Sequence, residues 1–330
     1  MDSNFKKRLV GAKFDDIIGQ EDVKKAVKSA LLMDRHILLV GQPGIGKTTL
    51  ARSIAKIIDD KEVNDCPYHC DPARPICPIC RSGEATQKVL LGGESFFVRV
   101  QGSPDLTAED LIGDIDPAKA LKHGASSIDA FTPGKIFRAN QGILFFDEVN
   151  RCTEKLQNTL LQALEEGRVT LGSYTVDIPV NFLFIGTMNP EDTSTEPLSD
   201  VFLDRFDLIE VGYPENTDIE LEIVTTHGKK ILEFPDDLLR TVVDFIRGLR
   251  YRDDVQKKPS VRASIGVYER AQSNAAVNGR QHVTMQDVKE VMVSVLAHRI
   301  KLKPSIKYLT TPEQYIEQHF QELIDRGDYL

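Results

Sequence analysis

Eight residues, GQPGIGKT at positions 41–48, have the types and spacing of a loop that wraps phosphate. They match G-x-x-x-x-G-K-[ST]. An apolar run at 37–40 supplies the strand the motif needs in front, and the helical period of 47–58 supplies the helix behind. Glycines at 41, 44 and 46 let backbone N–H groups turn inward around a β-phosphate, and the helix start adds the positive end of its dipole. Pro43, Ile45 and Thr49 belong to the same cradle. Lys47 is placed for the β- and γ-phosphates, and the Thr48 hydroxyl for Mg²⁺. A glycine-rich turn with no ligand is the plain alternative, and sequence and context together weigh against it.

Acidic, amide and cationic groups follow at intervals that suit phosphoryl transfer. ILFFDE at 143–148 is an apolar strand ending in two carboxylates. Asp147 suits a Mg²⁺ shell and Glu148 suits polarising a water, a job that nucleotide binding alone does not require. Two solvated acids at a strand end would look the same without the loop upstream. Asn189, in TMNP at 187–190, offers a neutral amide for a γ-phosphate or a water, although asparagine also favours turns. Arg205, in LDRF, is either a surface ion pair or a cation supplied to a neighbouring subunit. Spacing alone leaves both open.

Four of the five cysteines fall between positions 66 and 80, in CPYHCDPARPICPIC. The spacing C-x3-C-x6-C-x2-C makes two close pairs that could converge on one tetrahedral ion, and four thiolates are a usual closed Zn²⁺ site. Cys66, Cys70, Cys77 and Cys80 are the expected ligands, with His69 a substitute and Arg74 and Arg81 near enough to offset the net charge. Disulfides, an iron–sulfur cluster and free thiols are the alternatives. A closed site implies an architectural role, expected as a clamped lobe at the edge of an assembly. The metal would hold it, because residues 59–95 carry few large apolar side chains.

These groups need an α/β scaffold. Helical period covers 20–35, 47–58 and 153–166, the last with Thr153 as N-cap and Gly167 beyond its end. Strands are expected at 37–40, 96–100, 143–146, 180–185 and 208–211. A hairpin is expected from 169–171 and 174–178 around Gly172-Ser173. Beyond Pro214 strand patterns stop, and helices are expected near 215–232, 236–249, 260–277, 284–300 and 312–325. The expected division is an α/β nucleotide-binding domain at 1–212, with insertions near 59–95 and 114–135, and a helical domain at 213–330.

The chain has 330 residues, 41% of them hydrophobic, and a net charge of −9. An acidic whole disfavours a polyanion partner unless a local basic surface exists. No apolar run approaches a membrane span, and the start MDSNFKKRLVGAKFDD has no stretch of signal-peptide length. A cytoplasmic, reducing location is the expectation.

The order FDDIIGQE, GQPGIGKT, ILFFDEVNR, GTMNP, LDRF and SVRASIGVYERAQSNAAVNGR with VTMQDV resembles the AAA+ ATPases. The hairpin RVTLGSYTVDIP and the insert near 114–135 narrow the likeness to the helix-2-insert group. Within that group the chain looks like the magnesium-chelatase ATPase subunit and the MoxR proteins, from about residue 14 to about residue 295. The resemblance implies that Asn189 is sensor 1, Arg205 an arginine finger acting in trans, and Arg262 a sensor-2 arginine acting in cis or in trans. It places Ile18, Gly19 and Gln20 at adenine. It also implies ATP and Mg²⁺ as cofactors, a ring, usually a hexamer, and a partner bearing a von Willebrand A domain. The motor would remodel a protein for metal or cofactor insertion. A nucleic-acid motor is disfavoured because the hairpin tip at 171–175 lacks Lys and Arg. A non-hydrolysing switch is disfavoured by Glu148, Asn189 and Arg205. Peptide threading finds no aromatic-hydrophobic-glycine triplet at 101–107, which reads QGSPDLT.

Overall fold

A computed structural model of the chain describes residues 3–83, 87–124, 127–171, 176–190, 192 and 198–325. The chain forms two compact units. The first comprises residues 1–17, 21–41 and 46–211, and the second residues 18–20, 42–45 and 212–330.

The first unit holds β1 (His36–Val40), β2 (Lys61–Asn64), β3 (Lys88–Leu91), β4 (Phe97–Gln101), β5 (Gly113–Ile115) and β6 (Phe131–Pro133). It continues with β7 (Ile143–Asp147), β8 (Arg168–Leu171), β9 (Val176–Pro179), β10 (Leu183–Met188) and β11 (Phe206–Glu210). Five of these form a parallel sheet in the order β11-β1-β10-β7-β4, the α/β scaffold that the apolar runs imply. Ile37 to Leu39 and Ile143 to Phe146 are fully buried, as expected of parallel strands covered on both faces. Phenylalanines fill the layers: Phe146 stacks on Phe184 at 5.9 Å and Phe97 on Phe145 at 5.4 Å. Each fully buried ring among these, Phe145, Phe146 and Phe184, contributes about 1.5–3 kcal/mol by burial.

Several strand bounds differ from the sequence expectation, β11 for one starting at Phe206 rather than 208. β10 starts at Leu183 rather than 180, because the backbone of Val180 and Asn181 is spent on Gly167 and Gln141. β4 starts at Phe97, because Gly93–Phe96 forms a 3₁₀ turn.

The segment 59–95 is more ordered than its composition implies. β2 and β3 pair antiparallel, from Lys61 opposite Leu91 to Asn64 opposite Lys88, and close its base. The expectation that metal alone would hold this segment is corrected here. Cys66, Cys70, Cys77 and Cys80 lie in the same buried cluster as Leu111, Phe131, Phe137 and Phe146. The segment has few large apolar residues of its own, Tyr68 and Ile76 among them, and borrows others from residues 111–146. Further along, β5 and β6 pair around the helix Pro117–His123. The helix Glu154–Glu166 ends where Gly167 turns left-handed, at φ 60°. β8 and β9 pair as a hairpin, with residues 172–175 at its tip outside the described residues.

The second unit contains the helices Thr217–His227, Asp236–Tyr251, Val261–Val277, Met285–Leu296 and Pro312–Asp325. The helix expected at 284–300 stops at Leu296, because Lys301–Leu302 pairs as β13 with β12 (Val255–Lys257). Its core carries a buried ionic knot. Glu220, with no exposed surface, takes two bonds from Arg250 at 2.7 Å each, one from Arg247 at 3.0 Å and one from Ser264 at 2.6 Å.

Candidate functional site

The parallel register brings the carboxyl ends of β1, β10, β7 and β4 to one edge. Val40 lies opposite Met188, Gly186 opposite Phe146, and Gln101 opposite Asp147. Ligands of open α/β sheets bind outside this edge. At β1 the Gly41 N–H donates to the Met188 carbonyl at 3.0 Å, which anchors the start of the phosphate loop. Gly44 and Gly46 sit at φ 81° and 96°, the left-handed turns that glycine alone takes cheaply. Lys47 and Thr48 then open the helix Lys47–Ala55, and the buried Lys47 ammonium donates to the Gly41 carbonyl. Thr48 is half-buried, while Pro43 and Thr49 are exposed.

Asp147 and Glu148 leave β7 with separate partners. Asp147 accepts from the Thr187 hydroxyl at 2.7 Å and from Arg99 at 2.6 Å. Glu148 accepts from Gln101 at 3.0 Å and lies 3.2 Å from Arg151, which also binds Asp192. The Glu148 N–H donates to Thr187 Oγ1 at 2.9 Å, with Glu148 itself left-handed at φ 55°. A β-carbon on Gly102 would lie 2.1 Å from the Glu148 carbonyl oxygen, so only glycine fits there. Half-buried Asn189 follows β10 two residues after Thr187, at the same edge.

Arg205 does not join this group within its own chain. It precedes β11 and pairs with Glu165 and Asp204. In the second unit, Gln20 donates its backbone N–H to Glu215 at 2.9 Å and its side-chain amide to the Ile45 and Gly212 carbonyls at 3.3 Å each. Gly19 and Gln20 take φ 69° and 56°, and a β-carbon on Gly19 would meet Glu215 and Ile219. Ile18 precedes them in the same unit. A β-carbon on Gly44 would lie 2.9 Å from Cγ and Cδ of Arg262, so this arginine packs on the phosphate loop of its own chain. Burial, and then the Arg262 charge, pull the Arg299 guanidinium below its ordinary range, which marks a second arginine nearby.

Arg99, Gln101, Arg151 and Arg299 were not legible as site residues. Arg151 alone had a signal, three residues after Glu148. Arg99 and Gln101 become visible only through the register of β4 on β7.

The four sulfurs of Cys66, Cys70, Cys77 and Cys80 all lie within 4.8 Å of one another, and all four residues are buried. Four sulfurs around one zinc stand about 3.8 Å apart, from Zn–S bonds of about 2.3 Å. None of the cysteines is in a disulfide. Backbone N–H groups of Cys70, Cys77 and Cys80 donate to the sulfurs of Cys66, Cys70 and Cys77 at 3.4, 3.4 and 3.3 Å, a pattern that supports thiolate charge. Hydrogen bonds from the Cys70 and Cys77 thiols pull Cys66 far below the thiol range, while Cys70 is pushed up to about 11. His69 is not in the set; its ring lies edge-on to Phe96 at 5.6 Å. Arg81 donates to the Pro75 carbonyl.

A parallel sheet with a phosphate loop after one strand and paired carboxylates after another defines a P-loop protein of the AAA class. The profile of the ATPase family associated with various cellular activities matches residues 86–208, that of the AAA lid domain residues 254–318, and that of magnesium chelatase subunit ChlI residues 13–67. A magnesium-chelatase subunit ChlI homolog of Methanocaldococcus jannaschii is 30% identical over 94% of this chain and 90% of its own. The chaperone MoxR1 of Mycobacterium tuberculosis is 30% identical over 87% of this chain and 73% of its own. Among solved structures, a complex of the magnesium-chelatase subunits BchI and BchD shares the fold. Its TM-score is 0.50 at 22% identity, covering 90% of this chain and 98% of that one. The chain belongs to the ChlI/MoxR family of AAA+ ATPases. Among the described residues no helix is long and apolar enough to cross a membrane.

Proposed function

We propose that this chain hydrolyses Mg²⁺-ATP as one subunit of a ring, a hexamer by family likeness, and uses the energy to remodel a protein partner for metal or cofactor insertion. The separate holding of two adjacent carboxylates carries this reading. Thr187 and Arg99 fix Asp147, and Gln101 and Arg151 fix Glu148, so the two acids can do different work. Asp147 and Thr48 would hold Mg²⁺, and Glu148 would take the proton of the attacking water. Asn189 would orient that water. Lys47 and the backbone of residues 41–49 would hold the phosphates, and Ile18–Gln20 would touch adenine. The left-handed Gly44 and Gly46 and the buried Lys47 ammonium fit that ligand. Bound Mg²⁺ would supply positive charge that offsets the charge developing on the transferred phosphoryl group.

Packing of Arg262 on Gly44 supports action on its own chain's nucleotide. Arg205 would exchange Glu165 and Asp204 for the neighbour's γ-phosphate, which makes turnover depend on assembly. The four cysteines would hold one structural Zn²⁺, as their mutual distances and N–H···S bonds support. The remodelling role is supported by likeness to proteins named as a chelatase subunit and a chaperone; the partner with a von Willebrand A domain is carried over from the family resemblance, and the cytoplasmic setting from the sequence expectation. The test is Glu148→Gln, which should keep ATP binding and lose turnover.

A further inference from the structure

We propose that the metal-clamped cysteine knuckle sets the position of the hydrolytic strands, with Asn140 as the positioning residue between them. The inference rests on the zinc reading of the cluster and on the hydrolytic reading of the end of β7.

The first knuckle, from Cys66 to Cys70, presents two carbonyls. Asn140, 4% exposed, donates its amide N–H to the Tyr68 carbonyl at 3.1 Å. Gln141 donates its amide to the His69 carbonyl at 2.9 Å. Both acceptors lie between two metal ligands. The turn is tied further by Asn64 N–H on the Cys70 carbonyl and His69 N–H on the Cys66 carbonyl. Tyr68 also packs on Phe137 at 5.2 Å, and His69 on Phe96, which leads into β4.

The same two residues hold the sheet. Asn140 Oδ1 accepts from the Asn181 N–H at 3.3 Å, and the Gln141 N–H donates to the Asn181 carbonyl at 2.6 Å. Asn181 leads into β10, and Gly142 leads directly into β7. A β-carbon on Gly142 would lie 2.2 Å from the Phe96 carbonyl oxygen, so this junction has no slack. β7 is five residues long and ends in Asp147; β10 carries Thr187, which binds both Asp147 and the Glu148 backbone. A shift at Asn140 is therefore transmitted along two rigid strands to both carboxylates. An ångström of misplacement at reacting groups costs roughly 100-fold in rate.

The experiment compares wild type, Asn140→Ala and Lys88→Ala, the last removing only the exposed pair with Glu62 in the same insertion. Zinc per chain, ATP affinity, kcat, KM and hydrogen exchange over residues 140–147 are measured on each intact chain. Asn140→Ala is expected to keep its zinc and its ATP affinity, to lose about 10- to 100-fold in kcat with little change in KM, and to exchange faster across 140–147. Lys88→Ala should match wild type in all five. An Asn140→Ala protein that holds zinc, exchanges like wild type and turns over at the wild-type kcat would overturn the coupling. Wild-type protein purified without zinc would overturn the metal reading instead, and the exchange comparison would still judge the junction by itself. Should Asn140→Ala prove insoluble, Gln141→Ala, which breaks the His69 contact alone, is put to the same readouts. The same loss in kcat is expected of it, and a wild-type kcat would count against the coupling.

Discussion

Replacing Arg250 with alanine tests the ionic knot of the helical unit. Arg250 is 4% exposed and makes two short bonds to Glu220, whose carboxylate has no exposed surface, and a third to the Pro259 carbonyl at 2.8 Å. Alanine leaves Glu220 with Arg247 at 3.0 Å and Ser264 at 2.6 Å, a charge buried with half its partners gone. Breaking one side of a buried pair costs about 3–5 kcal/mol, or roughly two to four powers of ten in local opening. Hydrogen exchange of the helices Thr217–His227 and Asp236–Tyr251 reads that opening directly. The pH dependence has a definite sign. Burial raises the Glu220 pKa, but Arg250, Ser264 and Arg247 outweigh it and hold the carboxyl below its ordinary range. A depressed folded pKa gives stability that is full above the unfolded value of about 4.3 and is lost as pH falls through the folded value. Wild type should therefore lose helix protection in acid below about pH 4, whereas Arg250→Ala keeps the burial that raises the Glu220 pKa without its main counter-charge, loses less on acidification, and should converge with wild type in acid. Exchange within threefold of wild type at neutral pH would refute the reasoning.

Two further outcomes follow from the site. Gly102→Ala should drive its β-carbon into the Glu148 carbonyl and displace that carboxylate; turnover should fall at least tenfold while nucleotide affinity, set by the phosphate loop, changes little, and an unchanged kcat would remove the steric claim. Mixing Arg205→Ala with Lys47→Ala subunits should recover part of the activity that each lacks alone, because some interfaces join an intact loop to an intact arginine; no recovery in a demonstrated ring would leave Arg205 as the surface ion pair seen within the chain.

The phosphate loop, the β7 carboxylates and the parallel sheet were legible because each is a local pattern: a glycine spacing, an apolar run, a strand-to-helix switch. Arg99 and Gln101 were hidden because their chemistry arises from register, with Gln101 opposite Asp147 across two strands that lie 46 residues apart in sequence. The cysteine segment was legible as a cluster of four thiols, and its support by the apolar core was missed. Its apolar partners, Phe131 and Phe137, lie far along the chain, and the cysteines themselves count toward the core. β10 was placed three residues early because Val180 and Phe182 extend the apolar run while the backbone there serves Gly167 and Gln141.

The most direct test is turnover by Glu148→Gln beside wild type, with ATP binding measured separately on both. Loss of a general base costs roughly 100- to 10,000-fold. The Gln variant should bind ATP as wild type does and hydrolyse it at least 100-fold more slowly; hydrolysis at the wild-type rate would contradict the assignment of Glu148, and with it the division of labour between the two carboxylates at the end of β7.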